Sequence, residues 1–232
     1  MDISADAPAA NGLRQSGPGF FASKWKEIKL IGWFFGLLLS SFFVLGMIVK
    51  FNSTPWPEVI VSGIDALIVF AFVGFRYRDI LPLLKWPEFS MRSVIELAVL
   101  SLSFIVLLNV YFTFIEWAGV PMARVAGTYQ NAGWHVGSMF LLVSIMPAFV
   151  EELAFRGVIQ STLEKVFKER EAWLIQAALF SVLHISPIIF PSHFLMGLCF
   201  GYMRLRTKSL YPGMALHAAW NAFVLGKELH WL

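Results

Sequence analysis

At 232 residues the chain is long enough for one or two soluble domains, yet 58% of it is hydrophobic, 16% aromatic and only 14% charged, against about 25% charged in an ordinary globular domain. That composition excludes a soluble globular class and points to an all-α, polytopic transmembrane helix bundle. The net charge of +3 and the pI near 9.1 arise from short basic clusters between apolar segments, as in cytoplasmic loops, so no nucleic-acid partner is needed to explain them.

Residues 1–23 are rich in Ala, Ser, Gly and Pro and have no apolar core, which reads as a disordered tail rather than a cleavable signal peptide. Residues 24–232 then form a single transmembrane domain. The first apolar run, about Leu30 to Val49, follows Lys24, Lys26 and Lys29 and is long enough to cross a bilayer as an uncleaved anchor. The second, about Pro57 to Phe75, contains Asp65, and the third spans about Val94 to Trp117. Between them lies a basic loop with Arg76, Arg78, Lys85 and Arg92, broken by Pro82 and Pro87.

After a loop over residues 119–133 comes a fourth segment, about Trp134 to Phe167. It exceeds a simple crossing, so a tilt or a kink at Pro147 and a protruding end are expected. The fifth segment, about Trp173 to Ile189, ends in the Pro187–Pro191 turn. The sixth, about Ser192 to Leu205, carries Gly197 and Gly201 at a spacing that allows close helix approach. The seventh runs from about Tyr211 to Leu225. The count is seven, within a range of six to eight. The one cysteine, Cys199, lies in an apolar segment and is assigned to helix packing, which leaves neither a disulfide nor a Cys-based metal site.

The positive-inside rule sets the orientation. With the N-terminus cytoplasmic, fourteen of the eighteen basic residues fall inside: Arg14, Lys24, Lys26, Lys29, Arg76, Arg78, Lys85, Arg92, Lys165, Lys168, Arg170, Arg204, Arg206 and Lys208. Lys50, Arg124 and Lys227 fall outside, and Arg156 stays within the membrane.

The chemistry sits on segments four, five and seven. Glu151, Glu152 and Arg156 interrupt an apolar stretch, although each charge placed at mid-bilayer costs roughly 2.5–3.5 kcal/mol on insertion scales. His184 lies on the fifth segment, and His217 with Asn221 on the seventh. At about 1.5 Å rise per residue these groups lie roughly 14 to 22 Å from the cytoplasmic helix ends, so they can share one layer. Spacings of four put Glu152 beside Arg156, and His217 on the face of Asn221. Glu151 is turned about 100° from Glu152, free to face a polar cavity as a general base. Asp65 reaches a similar depth and either pairs with Arg156 or makes a polar contact elsewhere in the bundle. His135, His193 and His230 are expected at the outer interface, and Phe180 beside the site.

Glu151-Glu152-Leu-Ala-Phe-Arg156, Phe180-Ser-Val-Leu-His184 and His217-Ala-Ala-Trp-Asn221 resemble, in order, the EExxxR, FxxxH and HxxxN motifs of the CAAX protease and bacteriocin-processing (CPBP, or Abi) family of intramembrane endopeptidases. The resemblance covers about residues 134–226, the expected catalytic core. It implies peptide-bond hydrolysis by a glutamate-activated water in a membrane-associated or lipidated substrate. Glu151 would be the base, His184 would help to hold the water, His217 and Asn221 would steady the oxyanion, and Glu152 and Arg156 would shape and neutralise the site.

Zinc on Glu151, His184 and His217 is a possible cofactor in such a family, but the HExxH helix that would point to zinc is absent from the sequence, so a metal-free mechanism is favoured. The setting implied is a bacterial cytoplasmic membrane. Two other readings are a proton-coupled transporter and an inactive relative acting as an immunity or scaffold protein. The first expects paired halves with similar broken helices, which the sequence does not show. The second fits poorly with retention of every motif residue.

Overall fold

A computed structural model describes residues 18–49, 54–122 and 124–231 of the chain. Among them every regular element is helical. Seven long helices follow the seven apolar segments: α1 Pro18–Val49, α2 Trp56–Phe75, α3 Met91–Trp117, α4 Val136–Leu163, α5 Glu169–Leu183, α6 Phe190–Thr207 and α7 Tyr211–Glu228. Short helical turns at Tyr77–Ile80 and Leu81–Leu83 link α2 to α3, and Val125–Asn131 precedes α4. Helix α1 begins at Pro18, inside the stretch read as a tail; the expectation for residues 1–17 lies outside the described residues.

Local sequence sets the helix ends. Prolines occupy the first turns of α2, α6 and α7, where a missing N–H leaves no intrahelical bond unmade. Ser90 caps α3 by accepting a hydrogen bond from the Ser93 amide at 3.1 Å, and the Glu171 carboxylate accepts from the Lys168 amide at the start of α5.

Helices α1 to α4 are long and apolar enough to cross a membrane. Only 17% of the most apolar window is buried in each of α1, α2 and α3, against 44% in α4, so α4 is the central helix and the others turn apolar sides such as Trp33, Leu67 and Leu102 outward. In α4 the expected disturbance around Pro147 takes the form of two π-helical turns, Phe140–Ile145 and Leu153–Ile159. Pro147 has no N–H for the carbonyl one turn earlier, and the widened turn before it absorbs the altered register. The second π turn carries Arg156, just after the paired glutamates.

Helices α5 and α6 pack backbone to backbone. A Cβ on Gly197 would stand 2.6 Å from Ala177 Cα, so that position needs glycine, and one on Gly201 would stand 2.5 Å from Gln176 Nε2 and displace that side chain. The crossing is pinned by Gln176 Nε2 donating to Gly197 O at 2.7 Å and Trp173 Nε1 donating to Leu198 O at 2.8 Å.

The two ends of the bundle differ in charge. At one end Lys24 donates to Val166 O, Arg76 pairs with Glu27 at 3.1 Å, Lys165 with Asp79 at 2.6 Å, Arg204 with Glu164, and Arg206 with Glu96 at 2.6 Å. These contacts bring together the starts of α1 and α3 and the ends of α2, α4 and α6. At the opposite end Trp56 packs on Trp134, and Phe140 on Trp231.

Candidate functional site

The site begins at the two carboxylates of α4. Their side chains diverge as a rise of one residue requires: Glu152 is 1% exposed and Glu151 22%. Glu152 accepts from Arg156 Nη1 at 2.7 Å, and Arg156 Nη2 donates to Met196 O at 3.3 Å. The guanidinium is fully buried between the Phe180 and Phe200 rings, 4.5 and 5.2 Å from their centroids. Phe180 thus flanks the site, as expected, and contributes a cation–π contact. Asp65 is not the partner of Arg156. It lies on α2 facing α1, where the Ser41 hydroxyl donates to it, because depth along the bundle does not determine the direction in which a side chain points.

Glu152 has a second partner that the motif spacing does not reveal. His217 Nδ1 lies 3.1 Å from its Oε1, so the ring gives its Nδ1 proton to the carboxylate and turns Nε2 toward Glu151, whose Oε2 lies 3.8 Å away. That gap is too long for a direct hydrogen bond and suits a bridging water. Phe200 stacks on the opposite face of the imidazole, with centroids 5.1 Å apart. Arg156, Glu152 and His217 therefore form a buried chain that orients one ring, while Glu151 stays free of hydrogen-bond partners among the described residues.

Glu151, His184, His217 and Asn221 line one cavity of about 670 Å³. His184 follows the last residue of α5, where the chain breaks helical form and Ile185 takes a positive φ of 49°, a strained conformation for a β-branched residue. Its Nδ1 donates to Phe180 O at 2.9 Å, which leaves Nε2 as an acceptor. Asn221 sits one turn beyond His217 on α7, with no hydrogen-bond partner among the described residues. A separate cavity of about 90 Å³ lies behind Glu151 and includes Asp65 and Ser62.

His193 belongs in this site and was expected elsewhere. His135 and His230 are exposed, whereas His193 lines the main cavity with its ring centroid 3.9 Å from that of His184. Its Nδ1 donates to Ile189 O at 3.0 Å, so a second unpaired imidazole nitrogen stands beside that of His184. The signal was available in the hairpin: His184 directly follows α5 and His193 lies in the first turn of α6, so the short connection between the two helices brings them together.

The residues suggested for zinc do not form a ligand group. Among the described residues no three His, Cys, Asp or Glu side chains are gathered as a metal site, although zinc needs its nitrogen and oxygen donors at about 2.0–2.2 Å. The chemistry below is therefore derived from the side chains alone.

The fold and the site define a helical integral membrane protein with a polar chamber built on its central helix. Residues 133–223 match the family model described as "Type II CAAX prenyl endopeptidase Rce1-like", a match that supports the resemblance of this segment to the CAAX protease and bacteriocin-processing family. No curated protein and no solved structure gives a significant match. The matched segment runs from just before α4 to the middle of α7 and holds every residue of the three motifs.

Proposed function

We propose that the chain is an intramembrane endopeptidase that hydrolyses a peptide bond of a membrane-associated or lipidated substrate, with Glu151 activating the water. The observation that carries this reading is the 3.8 Å gap between Glu151 Oε2 and His217 Nε2 on the wall of a cavity that also holds His184 and Asn221. A water in that gap donates one proton to Glu151 and the other to an imidazole nitrogen, which turns its lone pair toward a carbonyl carbon in the cavity.

As the water attacks, its proton passes to Glu151 and negative charge develops on the carbonyl oxygen. Asn221 Nδ2 is the neutral donor placed to meet that charge. His217 can also donate there only when its Nε2 carries a proton. The Glu152 carboxylate on Nδ1 stabilises such an imidazolium, as a carboxylate does for the histidine of a catalytic triad. Glu151 then passes its proton to the departing amine as the C–N bond breaks, so the proton balance closes within the site. Glu152 and Arg156 line no part of the cavity and act by positioning.

The transmembrane unit over residues 24–232, its cytoplasmic N-terminus and a bacterial cytoplasmic-membrane setting belong to the same reading. The four helices long and apolar enough to cross a membrane support the transmembrane unit, and the basic end of the bundle supports the orientation. The test is cleavage of a panel of membrane peptides by purified wild type and Glu151→Gln, with and without a chelator. Cleavage by wild type that resists the chelator and is lost in Glu151→Gln is expected. Cleavage abolished by chelator and restored by zinc would overturn the metal-free mechanism.

A further inference from the structure

The catalytic cavity has a side. Its lining comes from the late part of α1 at Leu45, the start of α2 at Glu58 and Ser62, Tyr129 before α4, and the end of α7 at Glu228. All of these belong to the end of the bundle opposite the basic one. The contacts there confirm that these parts meet: Glu228 Oε2 accepts from the Ala126 amide at 2.8 Å, Tyr111 donates to Ile188 O, and Tyr129 and Glu58 share the cavity wall. The basic end is built from Lys24, Arg76, Lys165, Arg204 and Arg206 with their partners, none of which lines the cavity.

Clusters of Lys and Arg at helix ends mark the cytoplasmic face whatever acids accompany them. The cavity therefore faces away from the cytoplasm. Its lining also carries three carboxylates, Glu58, Glu151 and Glu228, and contains no Lys or Arg among the described residues. A free C-terminal carboxylate would enter without a cationic partner, whereas a neutral internal segment brings no charge to oppose the acids and a basic one finds carboxylates to pair with.

We infer that the site works on the extracytoplasmic side and takes an internal peptide segment, neutral or basic, presented there by a membrane-anchored or exported substrate. This rests on the proposed peptidase reading for the chemistry, but its geometry can be tested without catalysis. Cys199 is the one native cysteine and is buried, so a Cys199→Ser background gives a clean reporter. Arg124→Cys places a thiol at the cavity rim and Arg170→Cys places one at the basic end; both positions are exposed.

In intact cells a membrane-impermeant maleimide is expected to label Arg124→Cys, and Arg170→Cys only after permeabilisation. The opposite pattern would overturn the orientation whether or not the protein cleaves peptides. For the substrate, matched membrane peptides differing only in Lys or Glu beside the scissile segment are compared by kcat/KM. The Lys peptide is expected to be favoured by between about two- and thirtyfold, the range for two partly screened pairs, and Glu58→Gln with Glu228→Gln should shrink that ratio. Equal rates, or preference for the Glu peptide or for a free C-terminal carboxylate, would overturn the charge assignment. Loss of all cleavage in Glu151→Gln with the labelling pattern intact would leave both readings standing separately.

Discussion

Arg156 and Glu152 form the most costly contact in the molecule to break from one side. At 0% and 1% exposure, with a 2.7 Å contact, neither charge has water to fall back on. Arg156→Met strands the Glu152 carboxylate beside His217, and Glu152→Gln strands the guanidinium between Phe180 and Phe200. Removing one partner of such a pair costs about 3–5 kcal/mol, and Arg156→Met also loses two ring contacts worth roughly 0.5–2 kcal/mol each. At about 2–4 °C per kcal/mol for a chain of this size, each single variant should lower Tm by roughly 6 °C or more. The double variant removes both charges while keeping side-chain volume, so its loss should fall well below the sum of the singles, with a coupling of about 3 kcal/mol. Intrinsic fluorescence of the nine tryptophans during thermal unfolding in detergent reads this out. Additive losses, with coupling under about 0.5 kcal/mol, would refute the ion pair as described.

Three further outcomes are expected. Glu151→Gln should reduce turnover by about 10²- to 10⁴-fold, the usual contribution of a general base, and leave Tm unchanged or higher, because Glu151 makes no hydrogen bond that folding needs; a lower Tm would assign it a structural role. Asn221→Ala should lower kcat by about 10²- to 10³-fold with little change in KM, as loss of an oxyanion donor does. Tyr129, outside the membrane-spanning helices, has its phenol pushed up to about 12 by burial, with the Glu58 carboxylate adding to the shift. A raised folded-state value means that this tyrosine's stabilisation is complete below the ordinary value of about 10 and is lost as pH rises through about 12. An ultraviolet titration should show one late tyrosine, absent in Tyr129→Phe.

The helical architecture was legible because a bilayer imposes length and polarity on every crossing, and the seven apolar segments reappear as α1 to α7, although α1 begins at Pro18, well before Leu30, and α5 ends at Leu183, short of Ile189. The Gly197 and Gly201 contact with α5 was also legible, since small residues four apart signal close approach. What sequence could not supply was rotation about each helix axis. Depth put Asp65 level with Arg156, but α2 turns it toward Ser41. Spacing put His217 and Asn221 on one face, but only the packing of α7 against α4 gives the His217 Nδ1 proton to Glu152 rather than Glu151. His193 was missed because membrane depth was counted along each segment separately, whereas the α5–α6 turn folds it back onto His184.

Hydrolysis in water enriched with oxygen-18, followed by mass spectrometry of both product and enzyme, tests the central claim most directly. Activation of water by Glu151 predicts one heavy oxygen in each new C-terminal carboxylate and none in the enzyme peptide that contains Glu151. Heavy oxygen in the Glu151 carboxylate itself would mean a covalent anhydride with the substrate, and would contradict its role as a base.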